Sequence, residues 1–155
     1  MRTDRRRLLP RPGDVLPEVR VGLDSSRLVA YAGATWDWHP LHHDTAYARA
    51  AGLERPVADG QMFGALLASA LLRWAGYSAR LESLGMRYRS PVYVDDTVTL
   101  GGRVTEVDDD DDGVRIRLEQ TVWNGESIAV SATAALLLPS SAGHEAGRAD
   151  EGTPR

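Results

Sequence analysis

The clearest pattern in the chain is a run of apolar positions at helical spacing. Met62, Phe63, Leu66, Leu67, Ala70, Leu71 and Trp74 recur at steps of three and four, which predicts a helix from Gly60 to Ala75 with Gly76 as its stop. Arg73 is the only charge inside it. A helix so apolar is expected to be buried rather than to lie on a surface. Two shorter helices precede it. Asp24 or Ser25 can cap a helix through Arg27, Leu28, Val29 and Tyr31 that stops near Gly33. Asp44 can cap a helix over Thr45 to Ala51, with Gly52 just past its end.

The second half changes period. Met86, Tyr88 and Val92 sit in an alternating stretch after Gly85, broken by Pro91. Val98, Leu100, Val104 and Val107 predict a long strand with an irregularity at Gly101-Gly102. Val114, Ile116 and Leu118 alternate with Arg115, Arg117 and Glu119, so that strand has one wet and one dry face. Asn124-Gly125 signals a hairpin into a last strand over Ser127 to Leu138. The acidic run Asp108 to Asp112, closed by Gly113, reads as another hairpin tip, since it lacks the alternating ligands and distal glutamate of a calcium loop. The expected fold is α+β: an antiparallel sheet of four or more strands wrapped around one long helix, with an edge able to meet a second subunit.

Charge and composition narrow the function. A net charge of −4 disfavours non-specific binding to nucleic acid or anionic lipid. The chain has no cysteine, which excludes disulfides, thiolate metal sites and a cysteine nucleophile and leaves a cytoplasmic setting as the expectation. No apolar run approaches the roughly 20 residues of a membrane span. Residues 1–13 read as a flexible basic arm, residues 14–139 as one domain, and residues 140–155 as a disordered tail.

The candidate chemistry lies between the first two helices. Asp37 and His42 are an acid and a base five positions apart around Pro40. An imidazole can exchange a proton near neutral pH, and a carboxylate beside it can hold the same water. The spacing alone equally fits a turn-capping Asp37 and a surface His42. A second feature is Gly60, at the start of the long helix, where backbone N–H groups lack intrahelical acceptors and suit a developing negative charge. An ordinary helix start capped by Asp59 is compatible with that role. His39, His42 and His43 with Asp37 and Asp44 offer metal donors, but adjacent histidines point apart and no metal is expected. Ser69 and Ser90 lie outside any nucleophile-elbow motif. Arg73, Arg80, Arg87 and Arg89 could meet phosphates or simply be solvated. Trp36 and Trp38 flank Asp37 and are expected to be core or pocket wall.

The stretch Trp36-Asp37-Trp38-His39-Pro40-Leu41-His42-His43-Asp44, with Ala58-Asp59-Gly60, resembles the MaoC-like, or R-specific enoyl-CoA hydratase, family of the hot dog fold. The family pattern is Gly-Asp-x-Asn-Pro-Leu/Ile-His-x-Asp, then Ala-His-Gly at the head of the central helix. The segments from Arg27 to Ala34 and from Arg89 to Val98 share the likeness, which covers about residues 14–139. The resemblance implies a hot dog dimer, homomeric or paired with another hot dog subunit, acting on coenzyme A or acyl-carrier-protein thioesters. It implies reversible syn hydration of a trans-2-enoyl thioester to an (R)-3-hydroxyacyl thioester. Asp37 and His42 would hold and deprotonate the water, the Gly60 N–H would receive the thioester oxygen, and no metal or redox cofactor would be needed. Trp36, His39 and Asp59 depart from the glycine, asparagine and histidine of the pattern and, with Trp38, are candidates to shape the pocket. A thioesterase on the same fold and a non-catalytic partner of a heteromeric dehydratase are the alternatives.

Overall fold

The computed structural model describes residues 9–140, apart from Tyr77 and the side chain of Asp110. The expected tail beyond Ser140, and all of the expected arm but its last residues, lie outside them. The Gly13 N–H donates to the Val104 carbonyl at 2.9 Å, and Val15 pairs with Arg103, so the chain is already laid along the sheet there.

Five strands form one antiparallel sheet: β1 (Val19–Gly22), β2 (Arg80–Tyr88), β3 (Thr97–Asp110), β4 (Gly113–Asn124) and β5 (Ser127–Pro139), in the order β1-β3-β4-β5-β2. The two tight hairpins are where the turn residues place them. Asp110 pairs with Gly113 across Asp111 and Asp112, which leaves the acidic tip in water. Asn124 pairs with Ser127, so the loop itself is Gly125-Glu126, with Gly125 at φ 60° as a two-residue hairpin requires. Two expectations are corrected. The β2 strand starts at Arg80, five residues before Gly85, because its first half pairs with the apolar end of β5. The register shift in β3 falls between Val104 and Glu106, and Gly101 and Gly102 pair regularly. Those glycines serve close approach instead: a Cβ on Gly102 would stand 2.4 Å from the Glu119 carbonyl oxygen, and one on Gly101 2.9 Å from the Trp123 ring.

Helices α1 (Ser25–Thr35), α2 (Thr45–Ala50) and α3 (Gly60–Ala75) begin at Asp24, Asp44 and Asp59, each of which accepts a first-turn N–H through its carboxylate. The α1 helix runs past Gly33 to Thr35, whose hydroxyl donates to the Tyr31 carbonyl. The sheet curls around α3. Met62, Phe63, Leu67, Leu71 and Ala75 are buried against Val98, Leu100, Ile116, Leu118, Val122 and Leu136. Fully burying each leucine or phenylalanine contributes about 1.5–3 kcal/mol. The expectation of an all-round buried helix holds for this face alone. Gln61, Ala65, Ser69 and Arg73, four residues apart in turn, are exposed. Alanine, serine and polar residues can face water at little cost, so the high apolar count did not require burial there.

Candidate active site

Three separate pieces of chain meet at the head of α3. The first is the turn after α1. The N–H groups of Trp36 and Asp37 both return to the Ala32 carbonyl, and Trp36 adopts the left-handed conformation at φ 60°. That conformation suits glycine, and a bulky side chain adopts it at a cost of roughly 1–2 kcal/mol. It explains why the resembled pattern has glycine at this position. The Trp36 side chain is 81% exposed, so the expectation that it is core or pocket wall is corrected; a residue capping a helix in this conformation projects into solvent. Trp38 is 47% exposed and rests its edge near Gly33.

The second piece is a 3₁₀ turn, Pro40–His42. The Asp37 carboxylate accepts the His39 N–H at 3.2 Å, and His39 Nδ1 accepts the Leu41 N–H at 3.2 Å. The imidazole thus caps the turn, as a side-chain acceptor of asparagine type would. His39 also meets Tyr47 edge-on, so its ring is spent on structure.

The third piece, residues 55–60, is fastened on both sides. The Val57 N–H donates to the Leu41 carbonyl and the Ala58 N–H to the Val92 carbonyl. Asp96 anchors the far side: one carboxylate oxygen takes Arg55 Nη2 at 3.1 Å, and the other takes the Tyr93 N–H at 2.9 Å and Asn124 Nδ2 at 2.8 Å. Arg55 also lies over the Tyr93 ring.

The decisive contact joins the second and third pieces. His42 Nδ1 lies 2.8 Å from the Val57 carbonyl oxygen. A carbonyl only accepts, so Nδ1 carries the hydrogen and Nε2 is left to face the site. Donor atoms of Asp37, His42 and Asp59 all lie within 4.8 Å of one another. Asp37 and His42 are half-buried and Asp59 is buried. The metal-donor group weighed in the sequence is not assembled. Asp44 caps α2, His43 Nε2 bonds the Trp38 carbonyl, and Asp59 takes their place beside the pair. Two carboxylates and an imidazole form a donor set that could hold a divalent cation or a water.

Gly60 opens beside this trio. Asp59 satisfies the next two donors, its carboxylate accepting the Gln61 N–H at 2.8 Å and its carbonyl the Met62 N–H at 3.1 Å. Among the described residues, no protein acceptor takes the Gly60 N–H. The Tyr88 ring covers Gly60 so closely that a Cβ there would stand 3.0 Å from it. Val57, Gly60, Phe63, Tyr88, Arg89 and Val92 border an open cavity of about 350 Å³. Neither it nor a second cavity of about 330 Å³, between α3 and β1, is lined by a member of the trio, but the first reaches Gly60, next to Asp59. Of the four arginines singled out, Arg89 alone borders the cavity at Gly60; Arg80 pairs with Glu82, and Arg73 bonds the Ser69 carbonyl.

Sequence reasoning missed Tyr31, Tyr88 and the Val57 carbonyl. Burial, then Asp59, Tyr88 and Asp37 push the Tyr31 phenol above its usual pKa, which places that hydroxyl in the field of both carboxylates. Nothing in the local sequence marks a tyrosine on a helix four residues before its end, or a backbone carbonyl, as part of a site.

The comparisons with known proteins bear on the family and the fold. The model of the MaoC like domain matches residues 11–124. The 3-oxo-4,17-pregnadiene-20-carboxyl-CoA hydratase beta subunit of Mycobacterium tuberculosis is 38% identical over 97 residues, covering 63% of this chain and 75% of that one. The (R)-specific enoyl-CoA hydratase of Aeromonas caviae is 27% identical over 116 residues, covering 74% of this chain and 86% of that one. Among solved structures, a chain of the ChsH1-ChsH2 complex from Mycobacterium tuberculosis superposes with a TM-score of 0.78 at 33% identity, covering 84% of this chain and 99% of that one.

Proposed function

Because the chain belongs to the MaoC-like dehydratase family, we propose that it is a hydro-lyase acting on acyl thioesters. The reaction is reversible syn addition of water to a trans-2-enoyl thioester, giving an (R)-3-hydroxyacyl thioester. The observation that carries this reading is the convergence of Asp37 and His42 beside the unengaged N–H of Gly60. Asp37 and the Nε2 of His42 hold the water and remove its proton. The Gly60 N–H, at the positive end of α3, takes the negative charge that develops on the thioester oxygen. The cavity under Tyr88 admits the acyl group. Water and proton transfer balance this reaction without metal or redox chemistry, and the donor trio is read as a water site.

The Mycobacterium tuberculosis relative is named for 3-oxo-4,17-pregnadiene-20-carboxyl-CoA and the Aeromonas caviae relative for enoyl-CoA without an acyl group specified, so both classes belong in the test. The carrier is coenzyme A or an acyl carrier protein. The chain works with a second hot dog subunit, its own copy or a different one. Support comes from the solved ChsH1-ChsH2 pairing of a relative, the outer edge of β2, unpaired among the described residues, and the exposed face of α3. The test is to incubate the protein with a panel of enoyl-CoA thioesters while following loss of the conjugated double bond and release of free thiol. Loss of absorbance without thiol is expected. Thiol release without hydration would mark a thioesterase, and inertness across the panel a non-catalytic subunit.

A further inference from the structure

Asp59 occupies the position where the resembled pattern has histidine, and its carboxylate is brought to the catalytic pair by the cap of α3. One oxygen is engaged by the Gln61 N–H at 2.8 Å, which fixes the side chain's rotation. The residue is 9% exposed. Its donor atom, those of Asp37 and His42 included, lies within 4.8 Å of the others. Three points no more than 4.8 Å apart all lie within 4.8 Å divided by √3, about 2.8 Å, of a common point. That is the length of a hydrogen bond to water. A single water can therefore touch all three groups at once.

We propose that Asp59 is a third catalytic group of the site, a second carboxylate acceptor for the reacting water; this rests on the hydratase reading above. Hydrogen counting gives it its role. A water has two hydrogens, so it cannot donate to three acceptors. When the water meets all three, two members of the trio accept from it and the third holds a proton and donates to the water oxygen. The trio thus stores the proton that hydration needs. In that direction the water oxygen bonds to Cβ and one of its hydrogens passes to an accepting carboxylate. The π electrons move to the thioester oxygen at Gly60, and the trio's stored proton is delivered to Cα as the carbonyl re-forms. The trio ends with as many protons as it began with, and one water has been added. With Asp37 and His42 alone both water hydrogens can be accepted, and no stored proton is required. The groups facing this centre are Asp37 from the turn, His42 from the 3₁₀ turn, Asp59 from the α3 cap, Tyr31 from α1 and Tyr88 from the end of β2.

The test compares Asp59→Asn with wild type on any enoyl-CoA the wild type turns over. Asparagine keeps an oxygen for the Gln61 N–H and caps a helix as well as aspartate, so only the carboxylate is removed. The expected result is a fall in kcat of roughly 10²-fold, typical of one acid–base group, with KM and melting temperature held and one limb of the pH–rate profile displaced. Asp59→Ala, which also loses the cap, is expected to lose kcat equally and to melt lower. The inference is overturned by an Asp59→Asn enzyme within about twofold of wild-type kcat. It is equally overturned by a loss of activity that tracks a lowered melting temperature with the pH profile unmoved. A wild-type protein inert to every enoyl thioester would instead sink the hydratase reading itself.

Discussion

Two segments of this molecule are rich in carboxylates, and they have opposite fates. The stretch from Trp36 to Asp59 holds Asp37, Asp44 and Asp59 spread over separate turns, yet two of these converge on one imidazole. The hairpin tip from Asp108 to Asp112 holds five consecutive aspartates, of which Asp108, Asp109 and Asp110 pair regularly along a two-stranded ribbon and Asp111 and Asp112 form its turn. Alternation along the strand sends Asp108 and Asp109 to opposite faces, and Asp108 approaches Arg117 at 3.9 Å. Density in sequence therefore does not make a site. Hydrogen bonds between distant segments do, and the Leu41–Val57 backbone bond and the His42 Nδ1–Val57 carbonyl contact bring the first group together.

The contrast can be broken at several points. Asp37→Asn or His42→Ala should lower kcat/KM by roughly 10²–10⁴-fold with the circular-dichroism spectrum unchanged; near-normal turnover in either would place the chemistry elsewhere. Gly60→Ala comes next. Its Cβ would press on the Tyr88 ring at 3.0 Å, and Tyr88 is 52% exposed, so the ring can swing outward. We expect kcat/KM to fall about tenfold through crowding of the N–H, with little loss of melting temperature. A smaller effect is expected from Glu82→Gln. Arg115, hydrogen-bonded to Glu82 at 2.8 Å and assisted by Arg80, holds that carboxyl below its ordinary pKa of 4.5. A depressed carboxylate pKa stabilises the fold above the unfolded value and loses that contribution as pH falls through the folded one. The variant should thus melt slightly below wild type at neutral pH, and the two melting curves should merge in acid; a gap that persists or widens there contradicts the ion-pair origin. Least of all should follow from Asp111→Asn at the exposed tip, within about ±0.5 kcal/mol in denaturant titration and without effect on turnover.

Much of the fold was legible because local chemistry and tertiary structure agree. Asp24, Asp44 and Asp59 cap the helices their positions predict, and the two tight hairpins fall where glycine and aspartate mark them. Asp37, His42 and Gly60 were legible as a candidate site only through a motif. Spacing along the chain could not reveal that Val57 fixes the His42 tautomer or that Tyr88 lies over Gly60, since both depend on tertiary contacts across many residues. Asp59 was visible as a helix cap; its second role depends on where the other end of the site arrives. The misplaced irregularity at Gly101-Gly102 has a similar cause, because glycine marks close approach as readily as a bulge, and only the partners, Trp123 and Glu119, decide between them.

Trp36 has an optical consequence. Its indole stands in water one residue from Asp37, while Trp74 and Trp123 are partly shielded. Its emission should therefore lie to the red of theirs and be the more readily quenched by iodide. The chain carries a built-in lamp at the rim of its site, and a thioester or a partner subunit settling there would shade it without any attached dye.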